Sequence, residues 1–333
     1  MRRIATWLLV GAVAALGVAA GVDALGGGEE PERSEAEPQP RARTTTEAEE
    51  SGLAEAAVDL REAGVQGGVL TYADEDCAVH SLTLPDLEPH PAPTEHACRF
   101  TVSLGDVVSF GRAHPDPGLF YTAECRNGRV DVLTADGHPL ARYRGCAPAW
   151  RADGALSLIR AGAIIELSGP SEPRIVRERV VLSRADVARE VRRAGWTGYR
   201  FTVEEIAWLS GKRLAAIVQA RRRRETVELL GVFSGSRLVS EPGYGYDGLT
   251  GLRPSPTGAF VAARIASPGG LAVVDRDGET ARPAIRHGDA LTWSPDERWI
   301  AEATADGIYV FRADEPSPQF VHIPIVARDL FWR

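Results

Sequence analysis

The sequence predicts an all-β fold, a β-propeller of six blades (five to seven fit the pattern), preceded by a transmembrane helix and carrying one inserted helix. The main observation is a repeat: "SPTGAFVA" (255–262) and "SPDERWIA" (294–301) align with Ser, Pro and an apolar pair in register. Repeats of about 40 to 50 residues with several short strands are typical of propeller blades. Asp-Gly pairs, which suit the positive φ of tight hairpins, separate the apolar segments and begin at positions 136, 153, 247, 277 and 306.

The blades are expected to fill residues 65–333. The final segment "ARDLFWR" (327–333) resembles the approach to a blade, so we expect it to pair with the first blade near "GGVLTYAD" (67–74) and leave no open edge. Candidate innermost strands lie near residues 70, 107, 156, 215, 261 and 300.

The inserted helix is predicted over "LSRADVAREVRRAGW" (182–196), in the third blade. Val187, Val191 and Ala194 recur there at helical spacing. Ser183 is a suitable N-cap, because its hydroxyl can accept a bond from an amide of the first turn.

The N-terminal segment, residues 1–25, is predicted to be a membrane anchor. Residues 4–22 are nineteen residues without a charge, and as a helix they would span about 28 Å, close to the hydrocarbon thickness of a bilayer. The preceding Arg2 and Arg3 are expected to stay cytoplasmic, which makes the protein single-pass and places its C-terminal part outside the cell membrane. The alternative is a signal peptide cleaved near "VDA" (22–24), which would give a secreted protein.

Two short segments are expected to join this anchor to the propeller. Residues 26–50 are acidic and rich in Pro, with no other apolar residue larger than Ala, and such a composition predicts a disordered tether. Residues 51–64 are predicted to form a short helical stem.

The four cysteines repeat one spacing. Cys77 to Cys98 spans 21 positions, as does Cys125 to Cys146, and the two pairs are offset by 48. In an exported chain this predicts two disulfides, Cys77–Cys98 and Cys125–Cys146, one in each of two adjacent repeats. An alternative pairing, Cys77 with Cys125 and Cys98 with Cys146, fits the same repeat symmetry. The sequence does not exclude it.

No metal or cofactor site is predicted. Cys77, His80, His96 and Cys98 together could hold zinc, but no histidines accompany the second cysteine pair, and disulfides explain both pairs. The sequence contains no nucleophile elbow, phosphate-binding loop or dinucleotide fingerprint.

Catalytic residues are likewise not predicted. Along the candidate innermost strands the charged residues are Asp74, Arg264 and Glu302. Two carboxylates on different blades could form an acid and base pair, as in glycoside hydrolysis. The preferred interpretation is that these residues serve turns and channel polarity.

Two surface features are candidate binding sites. "ARRRRET" (220–226) places Arg221, Arg222, Arg223 and Arg224 between apolar segments, which predicts a hairpin tip that presents four cations to anionic lipid or wall polymer. "PGYGYDGLTG" (242–251) holds Tyr244 and Tyr246 among glycines. The two tyrosines would either contact a partner or pack over a blade edge. The alternative for the four arginines is a solvated turn without a binding role.

The segments "WSPDERWIA" and "SPTGAFVA" resemble the repeats of TolB-like, WD40-like six-bladed propellers, whose pattern is Trp, then Ser-Pro-Asp-Gly, a basic residue and an apolar strand. The resemblance covers roughly residues 65–333 and is sharpest in the last two blades. Glu297 stands where the pattern has Gly, and Thr257 replaces its Asp. The α/β domain that precedes the propeller of TolB has no counterpart in residues 26–64.

These observations predict a non-enzymatic recognition module, tethered to the cell membrane through its N-terminal helix, that binds an envelope protein or wall polymer. A net charge of -8 argues against a general nucleic-acid binder. The alternative function is an exported propeller enzyme acting on an envelope sugar or peptide through Asp74, Glu302 and a further carboxylate.

Overall fold

The computed structural model describes most of the chain from Thr44 to Arg333, which forms one compact unit. The predicted anchor, residues 1–25, and the tether up to residue 43 lie outside the described residues. Among the helices that are described, none is long and apolar enough to cross a membrane. The described ranges are 44–76, 78–91, 119–124, 128–134, 139–170, 176–240, 245–267, 269–278, 280–281, 288, 290–315 and 317–333.

The first three of the six described antiparallel sheets come from residues 68–182 and from the last strand of the chain. Sheet 1 has the order β23-β1-β2-β3 and consists of β1 (Gly68–Ala73), β2 (Val79–Leu84), β3 (Glu88–His90) and β23 (Asp329–Trp332). Sheet 2 consists of β4 (Leu119–Glu124), β5 (Arg129–Thr134) and β6 (Pro139–Arg144). Sheet 3 consists of β7 (Cys146–Trp150), β8 (Leu156–Arg160), β9 (Ala163–Ser168) and β10 (Arg177–Leu182).

The other three sheets each contain four strands that are consecutive in sequence. Sheet 4 consists of β11 (Arg200–Leu209), β12 (Arg213–Arg222), β13 (Glu225–Ser234) and β14 (Arg237–Leu238). Sheet 5 consists of β15 (Asp247–Pro254), β16 (Phe260–Ser267), β17 (Gly270–Asp275) and β18 (Thr280–Ala281). Sheet 6 consists of β19 (Ala290–Trp293), β20 (Trp299–Thr304), β21 (Gly307–Arg312) and β22 (Val321–Ile323). The described chain is therefore mostly β, in blade-like sheets as the sequence predicts.

From sheet 2 to sheet 6, the first strand of each sheet contacts the first strand of the next, and the first strand of sheet 6 contacts β23 of sheet 1, so these strands are the innermost ones. Such contacts join β7 to β11, β11 to β15, β15 to β19 and β19 to β23. The predicted innermost strands near residues 70, 156, 215, 261 and 300 are instead second strands, and residue 107 lies outside the described residues. The prediction was wrong by one strand because the second strands carry the most continuous apolar runs: all six residues of β20 are buried.

The second strand of sheet 4 is buried on both of its faces along most of its length. In β12, Leu214, Ala216 and Val218 belong to the core between sheets 3 and 4. The alternate residues Ala215 and Ile217 belong to the core between sheets 4 and 5. A strand with two apolar faces needs a sheet on either side, so the sheets stack side by side.

The C-terminal strand joins the first sheet, as the sequence predicts. β23 pairs antiparallel with β1, from Leu70 opposite Trp332 to Ala73 opposite Asp329. The amide of Val69 donates to the carbonyl of Arg333 at 2.8 Å. The last residues of the chain thus complete the sheet that the first strand begins.

A helix packs against the sheets at the N-terminal end of the described chain. Helix α1 (Thr44–Ala63) begins within the predicted tether and contains most of the predicted stem. Ala56, Ala57 and Leu60 are buried in the core between sheets 6 and 1. This helix is part of the hydrophobic core and not only a stem.

The predicted inserted helix is confirmed as α2 (Arg184–Arg193), which connects β10 to β11. The Ser183 hydroxyl accepts a bond from the amide of Asp186, and the Asp186 carboxylate accepts one from the amide of Ser183. Val187 and Val191 are buried against sheet 4.

The predicted disulfides lie outside the described residues, because Cys77, Cys98 and Cys125 are not described. Cys146 is described: it is the first residue of β7 and is half-buried.

Trp332→Ala should lower the free energy of unfolding by about 3 to 5 kcal/mol, because it removes a large side chain from the core at the closing strand. Trp332 is 3% exposed, whereas its neighbour Phe331 is 43% exposed. Phe331→Ala, measured in the same denaturant titration, should change stability by less than about 1 kcal/mol. Equal losses in the two variants would show that β23 does not anchor the sheet as described.

Candidate functional site

Sheet 4 is longer than its neighbours and ends in an exposed tip. Its strands β11, β12 and β13 have ten residues each, about 33 Å at 3.3 Å per residue, whereas β8 has five and spans about 17 Å. The exposed end of β12 is its last two residues, where it turns into β13. We call this end of sheet 4 the extended tip; its charged residues are Arg200, Arg221, Arg222, Arg223, Arg224 and Glu225.

Five arginines gather at the extended tip. Arg221 and Arg222 end β12, and Arg223 and Arg224 form the turn to β13, so the predicted hairpin tip with four cations is confirmed in its position. Arg200 opens β11 beside them. All five residues are exposed.

Strand register places two of these arginines directly opposite each other. Arg200 pairs with Arg221 across β11 and β12, so both side chains leave the same face of the sheet. Directly opposed like charges are destabilising. Arg200 is not predicted from the sequence, because the residues that face each other are set by a strand register that includes a bulge after Val203.

Among the described residues, no ion pair within 4.0 Å involves the five arginines of the extended tip, and Glu225 stands opposite Arg222 across β12 and β13. Some arginines elsewhere in the protein are paired: Arg151 contacts Glu166 and Asp153. At the tip, Arg221 Nη2 donates to Gln219 Oε1 at 3.2 Å. The tip therefore presents a concentration of positive charge to solvent.

An aromatic pair supports one face of the extended tip. Trp196 and Tyr199 meet edge to face with their ring centroids 5.5 Å apart. The guanidinium of Arg222 lies 5.7 Å from the centroid of the Tyr199 ring, in cation–π geometry. A hydrogen bond to Glu225 raises the pKa of Tyr199 above its usual value, and so does burial. The Glu225 carboxylate is thus engaged by a phenol on the face that carries Arg222.

The predicted tyrosine site is only partly described. Tyr244 lies outside the described residues. Tyr246 exchanges two main-chain bonds with Glu228 of β13, of 2.9 and 2.8 Å, and its half-buried side chain packs against the core between sheets 4 and 5. Glu228 is three residues from Glu225, about 10 Å along the strand. The structure therefore brings Tyr246 to the base of the extended tip in a packing position.

Asp74, a carboxylate of the enzyme alternative, holds a turn. Its Oδ1 accepts bonds from the amides of Asp76 at 3.0 Å and Ala78 at 2.7 Å, and its Oδ2 lies 2.8 Å from His80 Nε2. Burial opposes ionisation, but the bonds from His80 and the Ala78 amide outweigh it and lower the pKa of Asp74. Asp74 therefore belongs to the connection between β1 and β2.

Glu302, the other named carboxylate, is 1% exposed and lies between sheets 5 and 6. Burial raises its pKa to about 8, although the charge of Arg264 and the amide of Gly288 act in the opposite direction. A Cβ at Gly288 would approach Glu302 Cγ to 2.2 Å, so this position requires glycine. The structure does not bring Glu302 and Asp74 together, because Asp74 belongs to sheet 1 and Glu302 faces sheet 5.

No cluster of three or more metal-ligating side chains occurs among the described residues. Of the possible zinc ligands, His80 is described and contacts Asp74. Cys77, His96 and Cys98 lie outside the described residues.

Comparison with known proteins gives a distant likeness in fold. No family model and no curated protein matches the sequence. The Dos1 propeller matches with a TM-score of 0.41 and 13% identity. The match covers 63% of this chain and 56% of the Dos1 propeller chain. The β-propeller domain of Cps50 (Swd1) from Myceliophteria thermophila matches with a TM-score of 0.43 and 12% identity, over 78% of this chain and 84% of that one. A putative 6-phosphogluconolactonase from Bacteroides uniformis matches with a TM-score of 0.44 and 16% identity, over 80% and 84%.

Glu302→Gln should stabilise the protein at alkaline pH and leave it nearly unchanged at acidic pH. The pKa of Glu302 is about 8 in the folded chain and about 4.5 without its burial. Between these values the unfolded chain loses a proton that the folded chain keeps, so stability falls as pH rises, by at most about 1.4 kcal/mol per pH unit. Glutamine is neutral throughout and has no such loss.

The measurement is urea unfolding of wild type and Glu302→Gln at pH 5, 6, 7 and 8, with Glu62→Gln, at an exposed position of α1, as the control. The gap between Glu302→Gln and wild type should widen with pH, and that of the control should not. A constant gap would show that Glu302 ionises normally in the folded chain.

Proposed function

We propose that this chain is a non-enzymatic recognition module outside the cytoplasmic membrane, a TolB-like six-bladed propeller that binds an envelope protein or wall polymer through the extended tip of sheet 4. The observation that carries the proposal is the group of five exposed arginines, two of them directly opposed, without acidic partners among the described residues.

The charge distribution favours an anionic partner that contacts the extended tip alone. The chain as a whole carries a net charge of -8, so its overall charge repels a polyanion. The tip has five arginines and Glu225, which is bonded to Tyr199. A local positive patch on an acidic protein orients an anionic partner and raises its rate of association.

The framework holds the tip ready for binding. Arg200, Arg221 and Arg222 stand on strands whose main chains are paired along ten residues. Helix α2 packs its buried valines into the same core as Phe201 of β11. A prearranged site loses less conformational entropy on binding than a mobile loop does.

The proposed location follows from the N-terminal sequence. Residues 4–22 would span the membrane once and residues 26–43 would form the tether, with secretion after cleavage as the alternative. An oxidising location suits the disulfides Cys77–Cys98 and Cys125–Cys146, which remain part of the proposal.

The alternative, an exported enzyme acting on an envelope sugar or peptide, gains no support from the named carboxylates. Asp74 accepts main-chain bonds within a turn, and Glu302 is buried between two sheets. A general acid or base has to reach the substrate directly or through one water. The recognition module is therefore the function that the geometry supports best.

Replacing Arg221, Arg222, Arg223 and Arg224 together by Gln should reduce partner recovery about tenfold or more, because the attraction at the tip is removed. The measurement is cross-linking in intact cells, purification through a tag within residues 26–43, and mass spectrometry of the captured material. The tag precedes α1 and leaves β23 untouched.

The matched control removes four exposed arginines at other positions: Arg129, Arg144, Arg177 and Arg237. Recovery with the control should stay within about twofold of wild type. Undiminished recovery with the tip variant, at equal abundance of the folded protein, would contradict a role of the extended tip in recognition.

A further inference from the structure

The opposed arginines lie on an exposed face that also carries hydroxyl donors. Arg200, Arg221 and Thr226 form one cross-strand row on β11, β12 and β13, and all three are exposed. Thr202, two residues along β11 on the same face, is also exposed. Directly opposed residues have Cβ atoms about 5 Å apart, so the two guanidinium groups can reach one common anion.

The carboxylate nearest on this face does not neutralise that row. Glu228 lies one row below, opposite Gln219. Its Oε2 accepts the amide of Gly248 at 3.0 Å, and its Oε1 accepts a long bond of 3.5 Å from Gln219. Glu228 is thus held by sheet 5 and by β12, and the row above it keeps two positive charges.

We infer that the Arg200–Arg221 row binds the phosphate groups of a linear phosphodiester polymer. The inference deepens the proposed recognition role of the extended tip and rests on it. A single guanidinium can engage both coplanar oxygens of a carboxylate. A tetrahedral phosphate presents oxygens in several directions, so guanidinium groups from two strands can bind it together while a threonine hydroxyl donates from the side.

The placement of the other arginines favours a polymer over a single phosphate. Arg222 points to the opposite face of the hairpin, where it lies over Tyr199, and Arg223 and Arg224 occupy the turn. One phosphate cannot contact all five guanidinium groups, whereas successive phosphates of a chain that passes over the tip can.

A polymer also fits the tip better than a membrane surface does. The turn from Arg222 to Glu225 contains no apolar side chain that could enter a bilayer. A planar anionic surface would also face the remainder of a chain whose net charge is -8. A flexible polymer can contact the tip while it avoids the rest of the protein.

The test measures binding of the full chain, purified in an uncharged detergent, to fluorescent poly(glycerol phosphate). We expect affinity to fall about tenfold or more between roughly 50 and 200 mM salt, since several phosphate contacts release counterions. The variant Arg200→Gln/Arg221→Gln should bind about tenfold more weakly than wild type.

The matched control is Arg129→Gln/Arg144→Gln, which removes another directly opposed arginine pair, on β5 and β6. The two sites differ in the residue on the third strand of the row. Arg129 has Glu124 of β4 opposite it, whereas Arg221 has Thr226 of β13 opposite it. The control should bind the polymer within about twofold of wild type. Equal losses in the two double variants would overturn the inference, because binding would then follow net charge alone.

Two further probes separate the possible sources of the anion. Polyglutamate of equal charge should bind about tenfold more weakly than the polymer, and vesicles containing phosphatidylglycerol should bind more weakly at equal accessible phosphate. Equal polyglutamate binding would overturn the phosphate assignment, and stronger vesicle binding would assign the tip to the membrane. If no phosphate probe binds while the tip arginines still determine capture in cells, this inference fails and the proposed recognition role stands.

Discussion

The second strands of sheets 4 and 6 are buried on both faces, and this property constrains the rest of the structure. In sheet 4, alternate residues of β12 enter the cores shared with sheets 3 and 5, and all of β20 is buried in sheet 6. Such strands are stable only when a sheet covers each side. The pairing of β23 with β1 places the last strand of the chain in the first sheet, and β23 also contacts β19 of sheet 6, so sheets 6 and 1 are joined. Helix α1 completes the core between sheets 6 and 1.

Residues that bind a partner can lie on the part of a sheet that extends beyond the cores on its two faces. Within the packed region, alternate residues of β12 from Leu214 to Val218 fill the two cores. Beyond it the strand exposes Arg221 and Arg222 to solvent. The longer strands of sheet 4 therefore carry polar side chains outward on a framework that the core has already made rigid. The direct opposition of Arg200 and Arg221 disfavours the fold locally, and residues that lower stability without structural benefit are characteristic of functional surfaces.

Much of the fold was predictable from the sequence because it rests on local patterns. The repeat that includes Trp299, the spacing of Val187 and Val191, and the cap at Ser183 are all visible in a short window. The innermost strands were placed one strand too late, because apolar content marks the most buried strand and not the most central one. Arg200 was missed because it is distant in sequence from Arg221, and strand register with its bulge brings the two together.

The fold places Arg200 and Arg221 directly opposite each other in the absence of a ligand. A double-mutant cycle on the free energy of unfolding measures this most directly, with Arg200→Gln, Arg221→Gln and the double variant at low and high salt. We expect a repulsive coupling of about 0.5 kcal/mol at low salt that shrinks as salt screens the charges. A coupling at low salt that is zero or attractive, or a repulsive coupling that salt leaves unchanged, would contradict it.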